Sequence, residues 1–235
     1  MQRTFEEVPM KTLFKNKFVL VILCLSLLSV VGVGVNMITV YFQQEGAGDA
    51  LTTTTGGLVD NGLYDIPTNP TKYQQGLYKD LSEKLSTYTY VSENRDMEKE
   101  MEVVGLVVKN FVADFYTWTN KSSNYSVGGS QFMFSDLYLL FQQVARDTYY
   151  SDLDGYIAQY GRDNIVEVDS IVTDVAYSGG YSHNGISYDA YYVQATWTYK
   201  ECSLDTTGWQ NSSAFHVIYH PETGKWEIAQ FWNMG

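Results

Sequence analysis

Three side chains in the C-terminal half of the sequence could serve as a general base. Asp169 and Asp174 lie in IVEVDSIVTDVAY, and His216 lies in SSAFHVIYH. A pocket Asp or His beside tyrosine donors is the combination that removes a proton next to a carbonyl and stabilises the resulting oxyanion. The period-2 apolar pattern places Asp174 and His216 outward, and Asp169 lies where the pattern changes parity. We therefore expect that none of the three is catalytic. We also expect that the domain binds no cofactor.

Histidine and cysteine are too sparse to predict a metal site. His216 and His220 are four residues apart, so on a strand rising about 3.3 Å per residue they stand about 13 Å from each other. His183 falls in a predicted turn, and Cys24 and Cys202 are far apart in the sequence. A structural zinc site needs a four-ligand cluster. The sequence also has no HExxH motif, no nucleophile elbow and no glycine-rich phosphate loop.

A set of polar and aromatic side chains indicates a binding surface instead. Tyr188, Tyr192 and Gln194 lie on the face opposite the apolar residues of the second predicted strand, 186–199. Tyrosines exposed on a sheet face are typical of protein interfaces. We therefore expect these three residues to form a partner surface. The alternative is that helices cover this face too and bury them.

An uncharged stretch near the N-terminus predicts a membrane anchor. Residues 18–42, FVLVILCLSLLSVVGVGVNMITVYF, contain no charged side chain, and about 20 apolar residues suffice for a helix to span a bilayer. Lysines crowd the preceding segment 1–17, so the positive-inside rule makes this tail cytoplasmic and places the rest outside. We predict a single-pass cell-membrane protein. The alternative is a cleaved signal peptide, whose apolar core is shorter, about 7–15 residues.

Two segments separate the predicted membrane helix from the main domain. Residues 43–71 contain GAG, TTTTGG, DNG and TNPT, which are typical of a linker. Residues 72–91 carry Leu77, Leu81 and Leu85 at every fourth position, which predicts a short amphipathic, membrane-proximal helix. This leucine stripe packs either on the domain or on the same stripe of a second copy. The three leucines are therefore the candidate self-association residues.

Helices are predicted in the first half of the segment 92–235. Ser92 is the expected N-cap of the longest helix, whose apolar stripe extends over residues 104–118. Shorter helices are expected to begin near Ser135 and near Ser151. An apolar stripe of this kind is far more often core than a cofactor site, so these helices are expected to cover a sheet.

Four antiparallel strands are predicted to follow. The apolar period changes from 3.6 to 2 at Asn164, and a parity switch after Val168 predicts a β-bulge that bends the first strand. The stretch SGGYSHNG predicts a hairpin loop over 178–185, and HPETGK predicts a tight turn before the closing strand WEIAQFW. The sequence thus predicts a cone-like α+β domain, with two or three helices packed on a curved four-stranded antiparallel sheet.

The charge of the chain excludes one large class of function. The net charge is −12, and the first 17 residues contribute +2, so the remainder carries −14. An acidic domain does not offer the basic surface that grips phosphates. Direct nucleic-acid binding is therefore not expected.

The predicted elements resemble a known fold. The helix VVGLVVKNFVADFYTW, the short helices after it, the bent first strand and the closing TGKWEIAQFW resemble the nuclear-transport-factor-2-like fold over residues 92–235. With the predicted tail and membrane helix in front, the whole chain is similar to the VirB-eight-type assembly factors of type IV secretion, particularly the TcpC and TraM conjugal transfer proteins of Gram-positive bacteria. The resemblance implies a non-enzymatic scaffold that forms a dimer or trimer and contacts other membrane proteins of the transfer channel.

Two other functions stay open at this point. The same fold hosts isomerases and dehydratases, so the fold alone does not decide the function. The main alternative is an extracytoplasmic small-ligand-binding or isomerase/dehydratase-like module, which requires a deep apolar pocket and a carboxyl group of raised pKa. A third possibility is a wall- or partner-binding accessory domain unrelated to conjugation.

Overall fold

The computed structural model describes residues 57–234, which adopt an α+β fold as predicted. Helices come first along the chain and strands follow. Within this range the α-helices are Lys72–Thr87 (α1), Met97–Phe115 (α2), Tyr138–Asp147 (α3) and Leu153–Tyr160 (α4), and the strands are Val168–His183 (β1), Ile186–Tyr199 (β2), Ser212–His220 (β3) and Lys225–Trp232 (β4). Short 3-10 helices precede α3 and β1.

The four strands form one antiparallel sheet in the order β1-β2-β3-β4. The register of β1 against β2 shifts between Val168 and Ser170, which confirms the β-bulge predicted from the parity switch. Further shifts lie between Tyr177 and Gly179 and between His216 and Val217. A bulge bends its strand and increases the local twist.

The hairpin between β1 and β2 differs from the prediction. The prediction of a loop over 178–185 is wrong, because β1 continues to His183 and β2 begins at Ile186, so that only Asn184 and Gly185 form the turn. Both residues have positive φ, 51° and 80°, as a tight turn of the type I′ class requires. Gly179 and Gly180 pair with β2 after the second bulge instead of forming a loop.

Helix α2 packs its apolar stripe on one face of the sheet, which we call the inner face. The N-cap predicted at Ser92 is wrong: the helix begins at Met97, and the carboxylate of Asp96 accepts a hydrogen bond from the amide of Lys99. Val104, Val108 and the other residues of the stripe are fully buried there. The sheet side chains that alternate with the inner ones form the outer face.

The domain begins earlier than predicted, because helix α1 and the described part of the segment 43–71 pack on it. Thr71 caps α1 through a reciprocal pair of hydrogen bonds with Gln74. Upstream, the hydroxyl of Tyr64 is buried, donates to the carbonyl of Trp226 at 2.8 Å and accepts from its amide at 3.1 Å. Residues from Tyr64 onward therefore belong to the domain and are not a free linker.

The predicted cytoplasmic tail and membrane helix, residues 1–17 and 18–42, lie outside the described residues. Among residues 57–234, no helix is long and apolar enough to cross a bilayer.

Candidate functional site: the outer sheet face and the inner cluster

Three aromatic side chains meet at the centre of the outer face. His216 on β3 is paired with Tyr192 on β2, and its ring lies 6.0 Å from that of Tyr192 and 5.1 Å from that of Trp232 on β4. The rings of Tyr192 and Trp232 are 5.9 Å apart. All three side chains are half-buried, so they present ring surface to solvent on a sheet face that α2 does not cover. We call this set the outer aromatic cluster.

The predicted partner surface is only partly exposed. Gln194 is exposed and donates from its amide to the hydroxyl of Tyr192 at 3.2 Å, so these two side chains border the cluster together. Tyr188 is buried, because Phe134 in the loop before α3 packs against its ring at 5.7 Å. The expectation that Tyr188 is a contact residue is therefore wrong. The loop, and not a helix, covers this end of the outer face.

The leucine stripe of α1 is not available for self-association. Leu77 and Leu81 are buried in the hydrophobic core of their own chain, and Leu85 packs against it half-buried. The self-association surface predicted on these three leucines is therefore wrong. Periodicity shows that a face is apolar but does not show which surface covers it.

Aromatic side chains fill the inner face between α2 and the sheet. Phe111 lies 5.8 Å from Phe215 and 5.4 Å from Phe231, and it is fully buried. Phe115 and Phe141 extend the same packed layer towards α3. Interiors of this kind are close-packed, so this part of the inner face is core.

At one end of the inner face lies a buried ion pair. The guanidinium of Arg95 donates from Nε to both carboxylate oxygens of Glu100, at 3.2 and 3.0 Å, and from Nη2 to Oε2. The side chain of Glu100 is 0% exposed and that of Arg95 is 16% exposed. The hydroxyls of Tyr88 and Tyr191 donate to Glu100 at 2.8 and 2.7 Å. The carboxylate is therefore fully hydrogen-bonded.

A second carboxylate extends this network to the sheet. Asp189 on β2 accepts from Nη1 of Arg95 at 2.8 Å and from the hydroxyls of Tyr177 and Tyr90. The ring of Tyr90 stacks on Tyr219 with centroids 3.8 Å apart. Arg95 thus joins a carboxylate at the start of α2 to one on the sheet. We call Arg95, Glu100, Asp189 and the tyrosines bonded to these carboxylates the inner cluster: Tyr88, Tyr90, Tyr177 and Tyr191.

The network keeps Glu100 charged and keeps Tyr88, Tyr90 and Tyr191 neutral. Burial is the largest influence on the pKa of Glu100 and raises it, but the hydrogen bonds from Arg95, Tyr191 and Tyr88 together hold that pKa below its ordinary value. Burial first, and then hydrogen bonding to the carboxylates, raises the pKa of Tyr88, Tyr90 and Tyr191. Near neutral pH, Glu100 is an anion and the tyrosines are donors.

A serine, a histidine and a glutamate meet at the far end of the outer face without forming a catalytic triad. The hydroxyl of Ser135 and the carboxylate of Glu227 both contact the same ring nitrogen of His220, Nδ1, at 3.2 Å. A triad histidine uses its two ring nitrogens for these two partners. Glu227 also accepts from the amide of Ser135 at 3.0 Å, so the arrangement fixes the loop before α3.

The sequence-predicted candidates for a general base lie apart from the inner cluster. Asp169 and Asp174 are exposed on β1, and His216 belongs to the outer aromatic cluster. Burial lowers the pKa of His216, and its Nδ1 is buried without a hydrogen-bond partner, so the ring packs as a neutral aromatic group. In residues 57–234, no group of three or more His, Cys, Asp or Glu side chains is arranged to hold a metal ion.

The network around Arg95 was not predicted from the sequence. Arg95 and Glu100 are five residues apart but do not share a helix, and Asp189 lies 94 residues away from Arg95. The tyrosine-rich segments STYTYVSE and SYDAYYV gave a compositional signal, but no spacing rule links them.

Comparison with known proteins adds no relative. No family model, no curated protein and no solved structure matches this chain.

Proposed function

We propose that this chain is a non-enzymatic, membrane-anchored scaffold whose extracytoplasmic domain binds partner proteins through the outer face of its sheet. The observation that carries the proposal is the division of aromatic residues between the two faces. Phe111, Phe215 and Phe231 pack into core on the inner face, whereas Tyr192 and Trp232 keep ring surface exposed on the outer face. Aromatic side chains of this kind are enriched at protein interfaces.

The inner cluster argues against the isomerase or dehydratase alternative. A general base in such an enzyme needs a carboxyl group whose pKa is raised towards neutrality and whose oxygen is free to reach the substrate. Glu100 has the opposite properties, because its pKa is lowered and both of its oxygens accept hydrogen bonds from Arg95 and tyrosines. We therefore favour binding over proton transfer as the function of this domain.

The finer proposal concerns the assembly to which the scaffold belongs. Helices packed on one face of a four-stranded antiparallel sheet are compatible with the cone-like, nuclear-transport-factor-2-like domain that the sequence resembles. Together with the predicted membrane helix at 18–42, this supports a component of a Gram-positive conjugative transfer channel, a type IV secretion assembly. Its partners are further copies, in a dimer or trimer, and other membrane proteins of the channel.

Site-specific photo-crosslinking in intact cells tests the partner surface. A photoreactive amino acid at Gln194, which is exposed beside the cluster, is expected to capture another membrane protein or a second copy of this chain. The same group at Leu139, which is 69% exposed on α3, is the matched control and is expected to capture neither. Products at Leu139 but none at Gln194 would place the interface on the helical side and refute the proposal.

A further inference from the structure

Residues 88–95, which lie between α1 and the N-cap residue of α2, cross one end of the inner face, and we call this segment the strap. Tyr88, Tyr90 and Arg95 are partly buried, whereas Val91 and the residues up to Asn94 are exposed. In the described part of the chain, no backbone hydrogen bond joins the strap to the sheet; the amide of Asn94 bonds to the carbonyl of Val91 within it. Side chains alone therefore hold the strap on the domain.

The groups beneath the strap sit on regular secondary structure. Two carboxylates and four aromatic rings line this place, which we call the cage: Glu100 on α2, Tyr177 on β1, Asp189 and Tyr191 on β2, Tyr219 on β3 and Trp226 on β4. Neighbouring rings are in contact, with Trp226 lying 5.4 Å from Tyr191 and 5.3 Å from Tyr219. Without the strap, the cage presents two carboxyl groups and exposes aromatic faces.

The strap supplies the cage with a cation and a ring. The guanidinium carbon of Arg95 lies 4.9 Å from the ring centre of Tyr177 and 5.9 Å from that of Tyr191, and its nitrogens bond both carboxylates. The ring of Tyr90 stacks on Tyr219 and meets the edge of Trp226. A planar guanidinium fits this setting better than an ammonium group, because it forks between two carboxylates and also stacks on rings.

We propose that the cage is a binding site for an arginine side chain of a partner protein, and that Arg95 and Tyr90 are internal ligands which this arginine displaces. The carboxylates belong to α2 and β2, so they keep their places when the strap lifts. The side chain of Asp189 is 32% exposed with the strap in place, so an incoming cation has a charged group to meet first. This site lies on the inner side and is independent of the outer aromatic cluster.

The probe for this site is N-acetyl-arginine amide, titrated calorimetrically into the full-length protein in detergent. Arg95→Ala empties the guanidinium position and is expected to bind the probe saturably. The wild-type protein is expected to bind it at least about tenfold more weakly, because Arg95 occupies the site in most molecules. N-acetyl-lysine amide is expected to bind Arg95→Ala more weakly than the arginine probe, and Arg95→Ala/Glu100→Gln is expected to lose the binding.

A matched control distinguishes binding in the cage from binding of a cation at any buried carboxylate that has lost its partner. Lys121 pairs with Asp114 at 2.5 Å, and their side chains are 6% and 16% exposed, similar to Arg95 and Glu100. No aromatic ring lies under the Lys121 ammonium among the cation–π contacts of the described residues. Lys121→Ala is therefore expected not to bind the probe.

Displacement is tested in the wild-type protein by limited proteolysis with chymotrypsin, because the rings of Tyr88 and Tyr90 are partly buried while the strap lies on the domain. At saturating probe, cleavage after Tyr88 and Tyr90 is expected to be faster, because the strap lifts. If Arg95→Ala does not fold, Arg95→Gln, which keeps a donor for Glu100 but not the charge, replaces it in the titration. Binding to Arg95→Ala or Arg95→Gln no tighter than to Lys121→Ala would overturn the site. Bound probe with unchanged chymotryptic cleavage after Tyr88 and Tyr90 would overturn the displacement.

Discussion

Replacing Arg95 with methionine tests whether the inner cluster is a buried ion pair that stabilises the domain. Methionine keeps a flexible side chain of related length and removes only the guanidinium. The substitution leaves Glu100, which is 0% exposed, without its cation, while Tyr88 and Tyr191 still donate to it. The expected effect is therefore that of an incompletely compensated buried charge.

The magnitude follows from the burial of the two carboxylates. Removing one partner of a buried ion pair costs about 3–5 kcal/mol, because the remaining charge stays desolvated. Loss of the bond to Asp189 adds less, since its side chain is 32% exposed and water replaces part of the interaction. The free energy of unfolding of a domain is about 5–15 kcal/mol, so Arg95→Met is expected to remove about a fifth of it or more.

Urea unfolding followed by tryptophan fluorescence measures the difference. The matched control is Lys84→Met, which breaks the Lys84–Glu102 pair, 2.6 Å long with both side chains 45% exposed, and is expected to cost below about 1 kcal/mol. Arg95→Met/Glu100→Gln is expected to recover part of the loss, because no buried charge is left unpaired. Equal losses for Arg95→Met and Lys84→Met would refute the reasoning, since Glu100 would then be hydrated in the folded protein.

Three further predictions concern pH, a turn and the domain boundary. Because the pKa of Glu100 in the folded state is below its ordinary value of 4.5, its contribution to stability is fully present above that pH and is lost as the pH falls through the folded-state pKa. In urea titrations, the stability advantage of wild type over Glu100→Gln should therefore shrink as the pH is lowered below 4.5, and an advantage that does not change with pH would contradict this. Gly129→Ala should lower the melting temperature, because φ is 73° there and the added methyl group would lie 2.8 Å from the ring of Phe111. The control Gly155→Ala in helix α4 should keep or raise the melting temperature, because the added methyl group would have no atom within 4 Å. A melting temperature that is lower for Gly155→Ala than for Gly129→Ala would contradict this. A chain beginning at residue 72 should unfold at lower urea than one beginning at residue 57, because it lacks the two hydrogen bonds between Tyr64 and Trp226; equal midpoints would show that this contact contributes nothing.

The parts of the fold that depend on local chemistry could be predicted from the sequence. The bulge after Val168 was predictable, because side-chain alternation along a strand records the register directly. The true length of the turn in 178–185 was not predictable, because Gly179 and Gly180 fit a paired strand beyond a bulge as well as they fit a loop. Only Asn184 and Gly185 turn the chain. Glycine alone does not distinguish these two uses.

The candidate site was harder to predict because its members come from distant parts of the chain. Gln194 and Tyr192 were placed on the outer face by strand parity, but the burial of Tyr188 depends on Phe134, which the chain brings in from the loop before α3. The leucine stripe of α1 is likewise an apolar face, and only tertiary packing decides which surface covers it. No local sequence pattern could predict the contact between Arg95 and Asp189.

Conjugative transfer in the host that carries this gene tests the central claim most directly. Deletion of the gene should abolish transfer of DNA to recipient cells, and the wild-type gene should restore it. A Tyr192→Ala/Trp232→Ala variant should reach the membrane at wild-type level and fail to restore transfer, because it removes the rings exposed on the outer face. Transfer at the wild-type frequency in the deletion strain, or full restoration by the double variant, would contradict a scaffold that acts through this face.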